Sequence, residues 1–200
     1  MSARLISIIG PPASGKTTLA TWLAETLPGR LVREDYAGNP FLEDAWLGRR
    51  EVALAAQLYF LFSRTGQLNR ATWPASGLVI SDYGFCQDGV YAARNLSGED
   101  LGVYRRLARD AAGIVQPPDV VIVLGGSERV LLERIAARGR RHEQSFTPEL
   151  LASLSEAYRE IATTLGCPVL NVDAENANLL EDSQRRKVLA DVHRALGVKG

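Results

Sequence analysis

The sequence predicts an α/β fold, a parallel sheet wrapped by helices. Two observations carry that reading. Short β-branched or aliphatic runs recur at Leu5–Ile9, Leu31–Arg33, Leu78–Ser81, Val120–Leu124 and Val169–Val172, and segments of helical period separate them. Strands that are apolar throughout need cover on both faces, which is the condition of a parallel sheet.

The helical segments fall at Lys16–Leu27, Glu51–Ala71, Glu99–Ala112, Ser127–Arg138, Pro148–Leu165 and Asn178–Leu196. Ser127 ahead of Glu128, and Thr147 ahead of Pro148 and Glu149, supply the oxygen caps and first-turn residues that start helices. No repeat, low-complexity tract or long linker divides the 200 residues, so a single domain over 1–200 is expected.

Composition narrows the classes of function. With 46% hydrophobic residues and 23 basic against 23 acidic side chains, no global field favours duplex nucleic acid or an anionic membrane. No apolar stretch approaches the ~20 residues of a membrane span. Cys86 and Cys167 lack partners at metal-ligand spacing and read as free thiols suited to a reducing cytoplasm. His142 and His193 are too scattered for a zinc cluster.

The chemistry begins where the first strand ends. Gly10-Pro11-Pro12-Ala13-Ser14-Gly15-Lys16-Thr17 fits G-x-x-x-x-G-K-[ST], lies after a strand and opens a helix, with Thr18 next in line. Glycines let the backbone aim its N–H groups inward, and the helix N-terminus adds partial positive charge at the anion. Lys16 then reaches the β and γ phosphates of a nucleoside triphosphate, and the Thr17 hydroxyl ligates Mg²⁺. The guanine-reading N-K-x-D string and an apolar strand ending in Asp-Glu are both missing, so the kinase branch of the P-loop proteins is left by elimination.

Three further stretches point the same way. In "ERIAARGRRHE", Arg134, Arg138 and Arg141 share one helical stripe with Arg140 beside them. They form either a solvated basic face or a lid, about 138–147, whose arginines neutralise the transferring phosphoryl group, with Gly139 as a hinge-compatible residue. Glu34 and Asp35 stand at the C-terminal end of the second strand, where ligands bind in open α/β sheets. A carboxylate there serves either solubility or acceptance of a proton from an alcohol. Gln57 interrupts an apolar helix, either as a satisfied core amide or as a reader of a nucleobase edge.

Taken in order, GPPASGKT, REDYAGNPFLEDAW, AAQLYFLFSR, VISDYGFCQDGVYA, PPDVVIVL and ERIAARGRRHE resemble the deoxynucleoside kinase family, in particular its bacterial deoxyadenosine and deoxyguanosine kinase-like branch, over about residues 4 to 172. The resemblance implies a three-layer P-loop kinase fold with a five-stranded parallel sheet and an arginine lid. It also implies ATP and Mg²⁺ as cofactors, a small-molecule nucleoside as acceptor and a homodimer, for which the apolar helix around Ala53–Phe62 is the candidate surface.

By resemblance, Glu34 matches the general base for the sugar 5′-hydroxyl, Gln57 the base reader and Arg64 the arginine behind the base. Arg134, Arg138 and Arg140 match phosphate-facing arginines, and Glu143 the acid that holds the 3′-hydroxyl. Trp46 stands where a tyrosine usually shares that hydroxyl. Asn171 and Asp173 match the loop that passes the donor's adenine, or form a plain turn. Tyr91 lies near the base plane or packs in the core. Two departures stand out. Ser81-Asp82-Tyr83 replaces Asp-Arg-Ser, which removes the usual arginine and sends Asp82 towards Mg²⁺ or the acceptor hydroxyl. Gln87 falls where many members select the base with an aspartate. Rival readings are a P-loop kinase acting on a nucleoside monophosphate or another small alcohol, and a nucleotide-binding regulatory module with little catalysis.

Overall fold

Five strands form one all-parallel sheet in the order β2-β3-β1-β4-β5. They are β1 (Arg4–Ile9), β2 (Arg30–Val32), β3 (Leu78–Ser81), β4 (Val120–Gly125) and β5 (Val169–Asp173). The structure is a computed structural model and describes residues 2–140, 143, 145–175 and 181–198. Its helices are α1 (Lys16–Thr26), α2 (Leu42–Trp46), α3 (Ala53–Gln67), α4 (Gln87–Asn95), α5 (Gly98–Ala112), α6 (Glu128–Arg138), α7 (Pro148–Thr163) and α8 (Asp182–Ala195).

The layers follow from strand alternation. On β4, Val120, Ile122 and Leu124 face α1 and α8, meeting Leu19, Leu23, Val188 and Val192. Val121 and Val123 face the other way, against Leu131, Ile135, Leu151 and Leu154 of α6 and α7. Each such aliphatic side chain, once fully buried, contributes about 1.5–3 kcal/mol. The sheet therefore reads apolar throughout because both of its faces are inside.

All five strands point the same way, so their C-terminal ends share one edge. β1 lies between β3 and β4; the chain leaves β1 across β3 to reach β2 and leaves β3 across β1 to reach β4, so connections from these neighbouring strands run in opposite directions and a crevice opens at their C-terminal ends. Glu34 follows β2, Asp82 follows β3, and Gly10 follows β1 into that crevice.

Three details differ from expectation. The stretch 51–71 is not one helix: a 3-10 turn at Arg50–Val52 precedes α3, and a second at Arg70–Thr72 follows it. Two short helices, α2 and α4, were not foreseen. The arginine stripe also stops early, because Gly139 takes φ 63° and closes α6 after Arg138. Arg140 therefore lies beyond the helix, while Arg141, His142 and the start of the segment expected from Asn178 lie outside the described residues. The expected caps do form: Ser127 accepts from the Val130 N–H at 3.5 Å, and Thr147 from the Leu150 N–H at 3.2 Å.

Candidate active site

The phosphate cradle is built by backbone conformations that most residues avoid. Gly10 has φ 144°, and a Cβ placed there would lie 2.3 Å from the Leu124 carbonyl oxygen. Ala13 takes φ 62°, and Gly15 takes φ 95° at the N-cap of α1. The Lys16 Nζ donates to the carbonyls of Gly10 and Pro11, both at 2.9 Å. Burial lowers its pKa to about 8, against the pull of Glu34 and Asp82. The buried Ser14 Oγ has no hydrogen-bond partner among the described residues. An orphaned hydroxyl and an ammonium folded onto its own loop fit the binding of a polyanion.

Asp82 ties this cradle to the acceptor side. Its Oδ2 accepts from the Thr17 hydroxyl at 2.6 Å and its Oδ1 from the Glu34 N–H at 2.8 Å. Burial raises the Asp82 pKa, and those two donors oppose the rise. A hydroxyl and a carboxylate side by side at the start of α1 suit a hard cation such as Mg²⁺, which takes few protein oxygens and keeps the rest for water and phosphate. Thr18 is exposed on the first turn of α1. Ser81 is buried and bonds Ser7 at 3.2 Å, so it is part of the sheet.

Next to the cradle lies a cavity of about 410 Å³. Pro12, Trp46, Gln57, Arg64, Tyr91 and Glu143 line it, and all but Pro12 were expected there as acceptor-binding residues. Trp46 packs against Phe146 with ring centroids 4.9 Å apart, and edge-on against Tyr91 at 6.2 Å. Gln57 is 5% exposed, and its Oε1 has no partner among the described residues. Tyr91 is raised to about 12 by burial, against a hydrogen bond with Tyr158.

The cavity floor is ionic. Arg64, 3% exposed, pairs with Glu34 and with Asp88, whose Oδ1 lies 2.5 Å away. Burial opposes the charge on Arg64, yet the two carboxylates outweigh it and hold its pKa above normal. Burial pushes Asp88 up to about 6, against the attraction of Arg64 and the bond with Tyr104. Asp88 lines the cavity and was not foreseen. The signal available was Arg64 itself, since a buried guanidinium requires a counter-charge. Gln87, expected on the base-selecting wall, instead turns its Nε2 onto Glu34 Oε1 at 2.9 Å. Tyr36, also unforeseen, lines the cavity with its hydroxyl toward Glu34.

The basic lid meets the cradle. Arg138 acts electrostatically on Lys16. Arg134 donates to the carbonyls of Ala13 at 3.5 Å and Ala174 at 2.9 Å, bridging the cradle and the turn after β5. Arg140 lies 6.0 Å above the Tyr36 ring and 3.3 Å from Glu143. Asn171 and Asp173 line a second cavity of about 400 Å³ beyond Pro11. Asp35 stands apart, held by Tyr59 at 2.5 Å in a loop contact.

A phosphate cradle at the central strand of a parallel sheet, a basic segment beside it and a pocket alongside define a P-loop phosphotransferase with a small-molecule acceptor. The deoxynucleoside kinase family model matches residues 6–196, and the chain belongs to that family and is a kinase. It is 28% identical to a deoxyguanosine kinase of Bacillus subtilis, over 96% of this chain and 97% of that one. It is 31% identical to a deoxyadenosine kinase of Dictyostelium discoideum, over 84% of this chain and 71% of that one. In fold it matches a deoxyadenosine kinase from M. mycoides, 22% identical with TM-score 0.77 in a structure with bound dCTP, covering 95% of this chain and 99% of that one. A second structure of that protein, with bound dATP, has TM-score 0.76 at 23% identity and the same coverage. Among the described residues, no helix is long and apolar enough to cross a membrane.

Proposed function

We propose that this kinase moves the γ-phosphoryl group of ATP to the 5′-hydroxyl of a purine deoxynucleoside, giving the 5′-monophosphate and ADP. The observation that carries the reading is the position of Glu34. Its carboxylate, with the side chain 2% exposed, acts on Lys16 in the cradle and pairs with Arg64, which lines the cavity, so it lies between the two parts of the site. The preference for a purine rests on the named substrates of the two curated relatives. Gln57 supports the reading of a base as such: its free amide oxygen, beside an N–H₂ donor, complements an amino group next to a ring nitrogen.

In this reading Glu34 takes the proton of the 5′-hydroxyl as its oxygen bonds to the γ-phosphorus. The bond to the β–γ bridging oxygen breaks, and ADP leaves with the electron pair. The transition state is loose, so proton transfer comes late and positioning does most of the work. Lys16, Arg134, Arg138 and Arg140 neutralise the phosphates, and Glu143 with Trp46 orients the sugar. Thr17 and Asp82 would hold Mg²⁺, which would supply further charge neutralisation to the phosphates.

The chain acts as one unit over 1–200 with its lid at about 138–147, in the cytoplasm, as a dimer paired through the outer face of α3 around the exposed Phe62. The direct test is purified protein with ATP, Mg²⁺ and each deoxynucleoside in turn, assayed for 5′-monophosphate. Formation from deoxyadenosine or deoxyguanosine ahead of the pyrimidines is expected; no product from any of them refutes the reading.

A further inference from the structure

Gln87 and Asp88 begin α4 and, as neighbours on a helix, point about 100° apart. Asp88 lines the acceptor cavity and Gln87 does not. Gln87 is 2% exposed, and its amide N–H₂ is spent on Glu34 Oε1 at 2.9 Å. Arg64 donates to that same oxygen. Two donors from two different helices therefore converge on one oxygen of the carboxylate, and Oε2 lies outside both bonds.

We propose that Gln87 is a positioning residue for Glu34: it fixes the rotation of the carboxylate so that Oε2 receives the hydroxyl proton, and it takes no part in selecting the base. The proposal rests on Glu34 being the general base. Without Gln87 the carboxylate is held by a guanidinium shared with Asp88 and by the Tyr36 hydroxyl, which rotates about its own bond, and it can swivel between them. A further donor at a fixed angle removes that freedom. Gln87 does so without altering the charge of a site where Glu34, Asp82 and Asp88 already lie close together. It offers steering that the missing arginine after β3 does not provide in this chain.

The test compares the wild-type kinase with Gln87→Met, Glu34→Gln and the double variant. It measures kcat, the ratio of kcat/KM between purine and pyrimidine deoxynucleosides, and affinity for ATP as a check that each protein is folded. Gln87→Met is expected to lower kcat by about ten- to a hundredfold, with the nucleoside ratio unchanged. In the Glu34→Gln background the same substitution is expected to change nothing further, because there is no proton-accepting carboxylate left to aim. Should Gln87→Met fail to bind ATP, the neutral Gln87→Asn, which is too short to bring its amide onto Glu34 and adds no charge, takes its place with the same expectation. An undiminished kcat, a shifted nucleoside ratio, or full additivity in the double variant overturns the proposal. If Glu34→Gln itself keeps its kcat, the general-base reading fails and the proposal falls with it. That outcome is distinct from a slow Glu34→Gln beside a fast Gln87→Met, in which only the proposal fails.

Discussion

Replacing Arg64 with Met should uncover what the guanidinium holds in place. Arg64 is 3% exposed, and its partners Glu34 and Asp88 have side chains 2% and 3% exposed. Removing one partner of a buried ion pair costs ~3–5 kcal/mol, because the charge left behind has no compensation. Here two carboxylates are left behind, which favours the upper end of that range. Set against a total stability of ~5–15 kcal/mol, and at ~2–4 °C per kcal/mol for a chain of this size, the Arg64→Met melting point should fall by ~10–20 °C.

The loss should also depend on pH. In the folded protein Asp88 sits at about 6 rather than its ordinary 3.8, with burial as the main cause. The native state therefore binds this proton more readily than the unfolded chain. Asp88 weakens the fold as pH rises through 4 to 6, and above 6 its charge is carried at full cost, ~3 kcal/mol. Without Arg64 its pKa climbs further and the window extends upward. Circular-dichroism melts at pH 8 and pH 5.5 should show a wide gap between wild type and Arg64→Met at the higher pH that narrows at the lower. An equal gap at both, or a total loss under ~1 kcal/mol, would mean the floor of the cavity is not held by charge pairing and would refute this account of Arg64.

Other substitutions test other parts. Gln57→Leu should change the purine-to-pyrimidine ratio of kcat/KM by about ten- to a hundredfold, since each polar base atom left unpaired costs ~1–3 kcal/mol; steady-state kinetics on both substrate types reads it. Gly10→Ala places a Cβ 2.3 Å from the Leu124 carbonyl at φ 144°, so the cradle must distort by ~1–3 kcal/mol. Its ATP affinity should drop by up to about a hundredfold while deoxynucleoside binding, followed by calorimetry, holds. Phe62→Glu puts a charge on the exposed face of α3, where Phe62 is 57% exposed; sedimentation should show the proposed dimer for the wild type and a monomer for the variant.

The parts of this molecule that were legible in its sequence are those whose physics is local. β3 was expected at the residues it occupies, because Leu78, Val79 and Ile80 must be apolar to lie between two layers. The cradle was legible because eight consecutive residues must supply N–H groups, an ammonium and a hydroxyl to one anion. The cavity floor was not, because Arg64 and Asp88 are brought together by tertiary packing across 24 positions. The exchange between Gln87 and Asp88 is the clearest case. Which of two neighbours faces the cavity is set by the phase of α4, and α4 was not foreseen as a helix, its nine residues with Gly89 inside being shorter than the window in which a helical period stands out. The same limit applied at the lid, where the apparent stripe through Arg141 assumed a helix that Gly139 ends.

The loss of the usual arginine after β3 acquires a physical meaning once the charges of the site are paired. Glu34 and Asp88 share Arg64, Glu143 has Arg140, and Asp82 is satisfied by the Thr17 hydroxyl and the Glu34 N–H. Each acid therefore has a partner on the acceptor side or within the cradle. Among the described residues Arg138 has no carboxylate within ion-pair distance, and Arg134 and Lys16 bond only to backbone carbonyls. These are the cations a triphosphate can claim without breaking an existing ion pair. Had Asp82 been an arginine, it would have competed with Arg64 for Glu34 and placed another positive charge against Lys16, already lowered to about 8 by burial. With an aspartate there, the cradle keeps a carboxylate beside the Thr17 hydroxyl, and the task of steering Glu34 falls to the neutral amide of Gln87.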